Sequence, residues 1–193
     1  MKNLTSKIIL AAIVLLAHPT FAQVGIGIKA GIGTGNIYIS QDEIEGELRG
    51  DNVLGYEAGA YLLFQKNIVY FRPEALYLFR QGELNDIDKS KISYHRIEVP
   101  LIFGIELPGP LAIEGGPTFH HILKVDQAYN NDLTIQKNGV GYRIGPALRF
   151  GRLSIYANYE GLAFSGGDGT KLKEPYRLNF GVQIGLGHNG NLD

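Results

Sequence analysis

Apolar and polar residues alternate along most of this chain with a period of two. From Val53 to Phe64 one set of positions reads Leu54, Tyr56, Ala58, Ala60, Leu62 and Phe64, and the other holds Gly55, Glu57, Gly59 and Tyr61. From Ile68 to Arg80 the apolar set is Val69, Phe71, Pro73, Ala75, Tyr77 and Phe79, set against Tyr70, Arg72, Glu74 and Arg80. From Ile92 to Glu106 it is Ile97, Val99, Leu101, Phe103 and Ile105 against Tyr94, Arg96, Glu98, Gly104 and Glu106. Successive side chains of a strand point to opposite faces, so this alternation predicts strands with one apolar face and one polar face. The same dyads run through Leu111 to Leu123, Val140 to Phe150, Leu153 to Phe164 and Tyr176 to Gly187. Val24 to Ile39 adds a strand whose second face is nearly all glycine around Lys29, and the expected total is eight.

The connections alternate in length. Short turns are expected at Lys66-Asn67, Pro108-Gly109-Pro110 and Gly151-Arg152, and long polar links at Ser40 to Asn52, Gln81 to Lys91, Lys124 to Asn138 and Ser165 to Glu174. Short turns on one rim and long loops on the other define the outer-membrane arrangement, with both termini on the periplasmic, short-turn side. The fold class expected is therefore all-β: an eight-stranded antiparallel up-and-down transmembrane barrel.

The decisive question is which face lies inside. One set of faces carries Lys29, Arg72, Arg96, Arg143, Arg149 and Arg177 with Glu57, Glu74, Glu98, Glu106, Glu114 and Glu160, so cations and anions balance. A soluble ligand-binding barrel would turn the other set inward, and the narrow interior of eight strands has no room for roughly forty apolar side chains. A membrane barrel turns that set toward lipid and packs the charges into a plugged lumen, leaving no solute channel. Aromatic girdles are then expected from Tyr38, Tyr56, Tyr77, Phe79, Phe119, Tyr142 and Tyr176 at the loop rim, and from Phe64, Phe71, Phe103 and Phe150 at the turn rim.

The first 22 residues follow a different logic. Lys2 and Lys7 precede the apolar run Ile8 to Ala17, and Thr20-Phe21-Ala22 ends the segment on a small-x-small site. That is the layout of a cleaved signal peptide, and ten apolar residues are too few for a spanning helix. Residues 1–22 are expected to be the leader and 23–193 the barrel domain. Composition narrows the rest. A net charge of −1 gives no cationic field for nucleic acid, and the lack of any Cys removes disulfides, thiolate metal sites and cysteine nucleophiles.

Several segments resemble the PorT-like outer-membrane β-barrel family of Bacteroidetes: Leu76-Tyr77-Leu78-Phe79-Arg80-Gln81-Gly82, Tyr94-His95-Arg96-Ile97-Glu98-Val99-Pro100-Leu101, Gly115-Gly116-Pro117 and Gly145-Pro146. The resemblance implies an outer-membrane barrel of that phylum, with OmpX- or OmpA-like architecture. Its founding member assists assembly of a secretion system. The chain departs from the pattern in its last aromatic, Phe180, which lies well before the final residue, whereas outer-membrane strands typically close on an aromatic.

Candidate chemistry is sparse. Gly25-Ile26-Gly27-Ile28-Lys29-Ala30-Gly31 imitates a phosphate loop, but no helical period follows it, so its glycines read as small lumen positions. His120 and His121 point to opposite faces and do not share a metal. Asp42, Glu43, Glu45 and Glu47 form a solvated acidic loop, and Gly166-Gly167-Asp168-Gly169 lacks the repeat of a calcium roll. No G-x-S-x-G or H-E-x-x-H occurs. The reading favoured is a non-enzymatic barrel without cofactor or metal, in contact with outer-membrane lipid, whose loops or periplasmic rim serve structure or a protein partner. The alternatives are an enzyme acting on lipid or peptide at the outer rim, where Ser93, His95, His120 and Asp126 gather, and a secretion-assembly factor.

Overall fold

The computed structural model describes residues 23–40, 47–84, 91–127, 138–165, 171–173 and 176–186. Residues 1–22, expected to be a leader, the acidic stretch at 42–45, the glycine stretch at 166–169 and residues 187–193 lie outside them. Seven long strands run in order: β1 Gln23–Ser40, β2 Glu47–Lys66, β3 Val69–Leu84, β4 Lys91–Glu106, β5 Leu111–Gln127, β6 Asn138–Phe150 and β7 Leu153–Ser165. The eighth stave is split into β8 Lys171–Lys173 and β9 Arg177–Gly185, both antiparallel to β1. Each long strand pairs with its sequence neighbour. β9 also pairs with β7, and β1 pairs with both β2 and β9, so the sheet closes on itself. The protein is a closed eight-stranded antiparallel barrel.

Closure removes the open sheet edges, and the dyads decide which side is filled. Val24, Ile26, Ile28 and Ile32 of β1 face outward, as do Ile97, Val99, Phe103 and Ile105 of β4 and Leu178, Phe180, Val182 and Ile184 of β9. The buried set is the polar one, joined by Tyr61, Tyr70, Tyr94 and Tyr156. A few apolar residues share the lumen, with Leu76 and Leu78 of β3 and Ile102 of β4 fully buried there.

Two hairpins fix the register. Gly151 adopts φ 60°, and Phe150 pairs with Leu153 across the two-residue turn Gly151-Arg152 as expected. The first short turn lies one residue later than expected. Lys66 pairs with Val69, so the turn is Asn67-Ile68, with Asn67 at φ 53°. Asn tolerates the left-handed region better than any other residue available in Lys66-Asn67-Ile68, and it takes the first loop position for that reason. Strands β2, β3 and β5 also reach further into the long links than the alternation suggests, β2 starting at Glu47 and the other two ending at Leu84 and Gln127.

Candidate functional site

The inward faces meet in one continuous charge network, which begins at the turn rim. Gln65 Nε2 donates to Glu106 Oε2 at 2.9 Å, and Arg149 donates to Glu106 and to Gln65 Oε1, the latter at 3.1 Å. The Arg149 guanidinium lies 4.9 Å from the centre of the Tyr70 ring. Glu106 and Arg149 remain half-buried. The next tier is buried: Arg72 Nη2 donates to Glu114 at 2.8 Å, Tyr70 Oη donates to the same carboxylate at 2.7 Å, and Arg72 Nε reaches Glu74 at 2.7 Å.

The middle tier spans the lumen. Lys29 Nζ on β1 donates to Glu74 on β3 at 2.8 Å, across the intervening β2, while Tyr156 Oη donates to Glu57 at 2.7 Å. Arg143 of β6 is the hub. Its Nη2 lies 3.1 Å from Glu57, 3.0 Å from Glu98 and 2.9 Å from Glu160, which belong to β2, β4 and β7. At the loop end, Arg177 Nη2 donates to Glu98 at 2.8 Å and also contacts Glu160, and Arg96 pairs with Glu98 at 2.5 Å.

All twelve charged residues expected in the lumen face it, and ten of them are buried, Glu106 and Arg149 being the exceptions at the rim. The tight fit has a steric basis. A Cβ on Gly31 would stand 2.2 Å from Tyr156 Oη, and one on Gly181 would stand 2.4 Å from it, so the two glycines clear the path by which that tyrosine reaches Glu57. Arg80 is an addition to the network. It lies on the inward face, 1% exposed, and donates from Nη2 to Asn179 Oδ1 at 2.8 Å. Its position on the polar side of the β3 dyad marks the face, but with Leu76 and Leu78 below it no acid neighbours it along the strand.

Outside, the aromatic rings form two rows. Phe64, Phe71 and Phe103 contact one another in sequence near the turn rim, with ring centres 6.2 and 4.8 Å apart. Near the loop rim, Tyr56 contacts Phe79, and Phe79 contacts His95, whose Nδ1 is hydrogen-bonded to Tyr77 at 2.5 Å. Tyr142 and Phe119 are exposed on the outer face, and Tyr159 contacts Tyr142, an addition to the row expected from the alternation. The side chain of Tyr38 lies outside the described residues.

The rim candidates for catalysis do not converge. His120 pairs across the ladder with Glu98 on the inner face, while His121 faces outward and bonds Asn138 at 2.7 Å. Ser93 is paired with Asp126, whose carboxylate takes Lys124 at 2.7 Å, and the His95 ring takes Tyr77. Among the described residues no group of three His, Asp or Glu side chains is placed to hold a metal.

Residues 115–117 and 145–146 stand on adjacent strands, with Glu114 paired to Gly145 and Gly116 to Arg143. A Cβ on Gly116 would meet the Leu101 carbonyl at 1.9 Å, so this motif serves close strand approach.

Comparison with solved structures gives the same architecture. Neisserial surface protein A superposes with a TM-score of 0.50 at 14% identity, over 84% of this chain and 98% of its own. The fold is that of an eight-stranded outer-membrane barrel. OprG from Pseudomonas aeruginosa, at 11% identity and TM-score 0.47, covers 88% of this chain and 99% of its own. Ail of Yersinia pestis, at 13% and 0.43, covers 84% and 99%. No protein-family model matches the chain, and no curated protein matches it in sequence.

Proposed function

We propose that this protein is an integral outer-membrane barrel of a Gram-negative bacterium, exported by a leader at residues 1–22 and cut before Gln23. In this reading it is a non-catalytic scaffold whose loops or turn rim engage a protein partner. One observation carries the location: the barrel is inside-out relative to a soluble one. Phe103 is 58% exposed and Ile32 60%, while Arg143 is 1% exposed. Only a solvent of hydrocarbon rewards that sidedness, since water would favour the reverse. The ring rows fit the same solvent. From Tyr142 to Phe150 is a step of eight residues. At ~3.4 Å each along strands tilted by ~40°, that step rises about 20 Å, close to the ~25 Å apolar band of an outer-membrane barrel.

Subcellular fractionation tests the location. The protein should sediment with outer membranes, resist carbonate extraction, migrate faster on gels before heating than after, and begin at Gln23. Recovery in the soluble fraction, or a retained Met1, would refute it.

A packed lumen should not conduct. Acids and bases are interleaved along the lumen, so the described residues form no single-sign ring of the kind a selective pore uses. Planar-bilayer recording of the refolded protein should be silent, and steady, size-selective steps would contradict the scaffold reading. The segments resembling the PorT-like family favour kinship with it, and with that a part in assembling a secretion system. Deleting the gene and assaying secreted proteins addresses that narrower role.

A further inference from the structure

The outer wall is not uniform around its circumference. In its loop-side half the described outward positions of β1, β2, β3, β6, β7 and β9 carry no charged or imidazole side chain. Those groups stand on two neighbouring strands, His95 on β4 and His121, Lys124 and Asp126 on β5. The register brings them together. His95 pairs directly with Lys124, Ser93 pairs with Asp126, and His121 pairs with Ile97, one diagonal step from His95. Directly opposed side chains on one face stand ~5 Å apart at Cβ.

A β-bulge puts the lysine there. The ladder shifts between His95 and Arg96, and Leu123 is the extra residue on β5. In an unshifted ladder Leu123 would oppose His95, and Lys124 would oppose Tyr94 on the lumen side. With the bulge, Lys124 opposes His95 and its side chain is 67% exposed, while Val125 takes the place opposite Tyr94. Bulges re-aim side chains, and this one adds a cation to the outer face beside the ring row to which Phe79 and His95 belong.

The donors of the patch are only partly spent. His95 commits Nδ1 to Tyr77 Oη and His121 commits Nδ1 to Asn138 Oδ1, which fixes both rings. Among the described residues neither Nε2 has a hydrogen-bond partner. Lys124 holds Asp126 at 2.7 Å, but both groups are exposed, so the pair is weak and the ammonium keeps donors to spare. An ammonium and two imidazoles against one carboxylate favour an anion. On a membrane-facing wall at the level of an aromatic row, the anion within reach is a lipid headgroup. A phosphate has acceptor oxygens enough to meet an ammonium and both imidazoles at once, whereas a carboxylate has only two.

We propose that this patch of β4 and β5 binds the phosphate of an anionic lipid headgroup in the outer leaflet, with Lys124 and His95 as its principal donors and His121 at its margin. The site rests on the membrane location proposed above.

The probe is phosphatidate, whose headgroup is a bare phosphate. Full-chain protein is refolded into phosphatidylcholine vesicles containing equal minor amounts of phosphatidate and oleate, solubilised in a non-ionic detergent and weighed by native mass spectrometry. One phosphatidate should be retained saturably and in preference to oleate, and excess inorganic phosphate should not displace it. Lys124→Gln should weaken retention by about fivefold, the contribution of one lysine at a charged membrane surface. His95→Phe should weaken it as well, although it keeps a ring against Phe79. Asp126→Asn should strengthen it, because the competing carboxylate is gone, and a gain of binding does not arise from misfolding. Lys66→Gln, at the opposite rim, should leave it unchanged. A protein that does not float with phosphatidylcholine vesicles would overturn the location and this site together. A barrel that enters them but retains phosphatidate no better than oleate, loses it to inorganic phosphate, or responds equally to Lys124→Gln and Lys66→Gln would overturn the site alone.

Discussion

Replacing Arg143 with Ala should be the most damaging single change in the lumen, costing about 3–5 kcal/mol in urea unfolding of the refolded barrel. The side chain donates to Glu57, Glu98 and Glu160 within 3.3 Å, and all three acids are buried. Its removal leaves carboxylates from three strands facing one another without their shared counter-charge, and an uncompensated buried charge costs far more than the pair gains. Arg143→Lys should recover only part of the loss, because a single ammonium on a flexible stem does not reproduce the planar fork that meets three acceptors at once. Unfolding is best followed by far-ultraviolet circular dichroism and gel mobility, since the chain has no Trp. A loss within ~1 kcal/mol, the scale of a surface ion pair, would show that the network adds little to stability.

Part of that hub is legible in the sequence. Once Gly151-Arg152 is a two-residue turn, counting back places Arg143 opposite Glu160 and Arg149 opposite Ser154, and both pairings are observed. The count works because a slip of one residue would turn every side chain of the strand to the wrong face. Counting around Pro108-Gly109-Pro110 sets Glu98 against His120, which is also the observed register. What counting along a ladder does not reach is the far wall. Lys29 meets Glu74 two strands away, Arg143 meets Glu57 across the lumen, and Arg177 on β9 meets Glu98 on β4. Those contacts depend on barrel curvature and on the reach of long side chains over glycine, neither of which is a periodicity. Arg80 escapes the count for the same reason, as its partner Asn179 lies in a strand 99 residues on.

The ends of the strands are hidden for a different reason. Alternation is informative only where the two faces see different solvents. β2 begins at Glu47, with no dyad to announce it, and is held by backbone pairing from Ser40↔Glu47 to Ile37↔Gly50. The candidate catalytic groups at this rim show the limit of proximity in sequence. His120 and His121 are divided by the sheet itself, because successive residues of one strand face opposite ways.

Placing an arginine on the outer face at Val99 should cost about 2–4 kcal/mol in lipid vesicles, whereas the same change at Ile68 should cost about 0–1 kcal/mol. Val99 is 42% exposed on β4, midway between Phe103 of the turn-side ring row and His95 of the loop-side one, which puts it at the centre of the apolar band. Ile68 is more exposed, at 59%, but occupies the Asn67-Ile68 turn at the rim, where headgroups and water reach it. Exposure alone therefore predicts the wrong order. A guanidinium at Val99 has to drag water or headgroups into hydrocarbon, or bend its stem toward an interface four residues away, and the barrel wall denies it a polar neighbour on that face. In a soluble barrel both positions would be wet surface, and each substitution would change stability by roughly half a kcal/mol or less. The comparison thus isolates the solvent from the fold. Urea unfolding of Val99→Arg and Ile68→Arg, each refolded into the same phosphatidylcholine vesicles, measures the difference directly. Equal costs at the two positions would mean that the apolar face does not sit in a bilayer, however closely the barrel matches those that do.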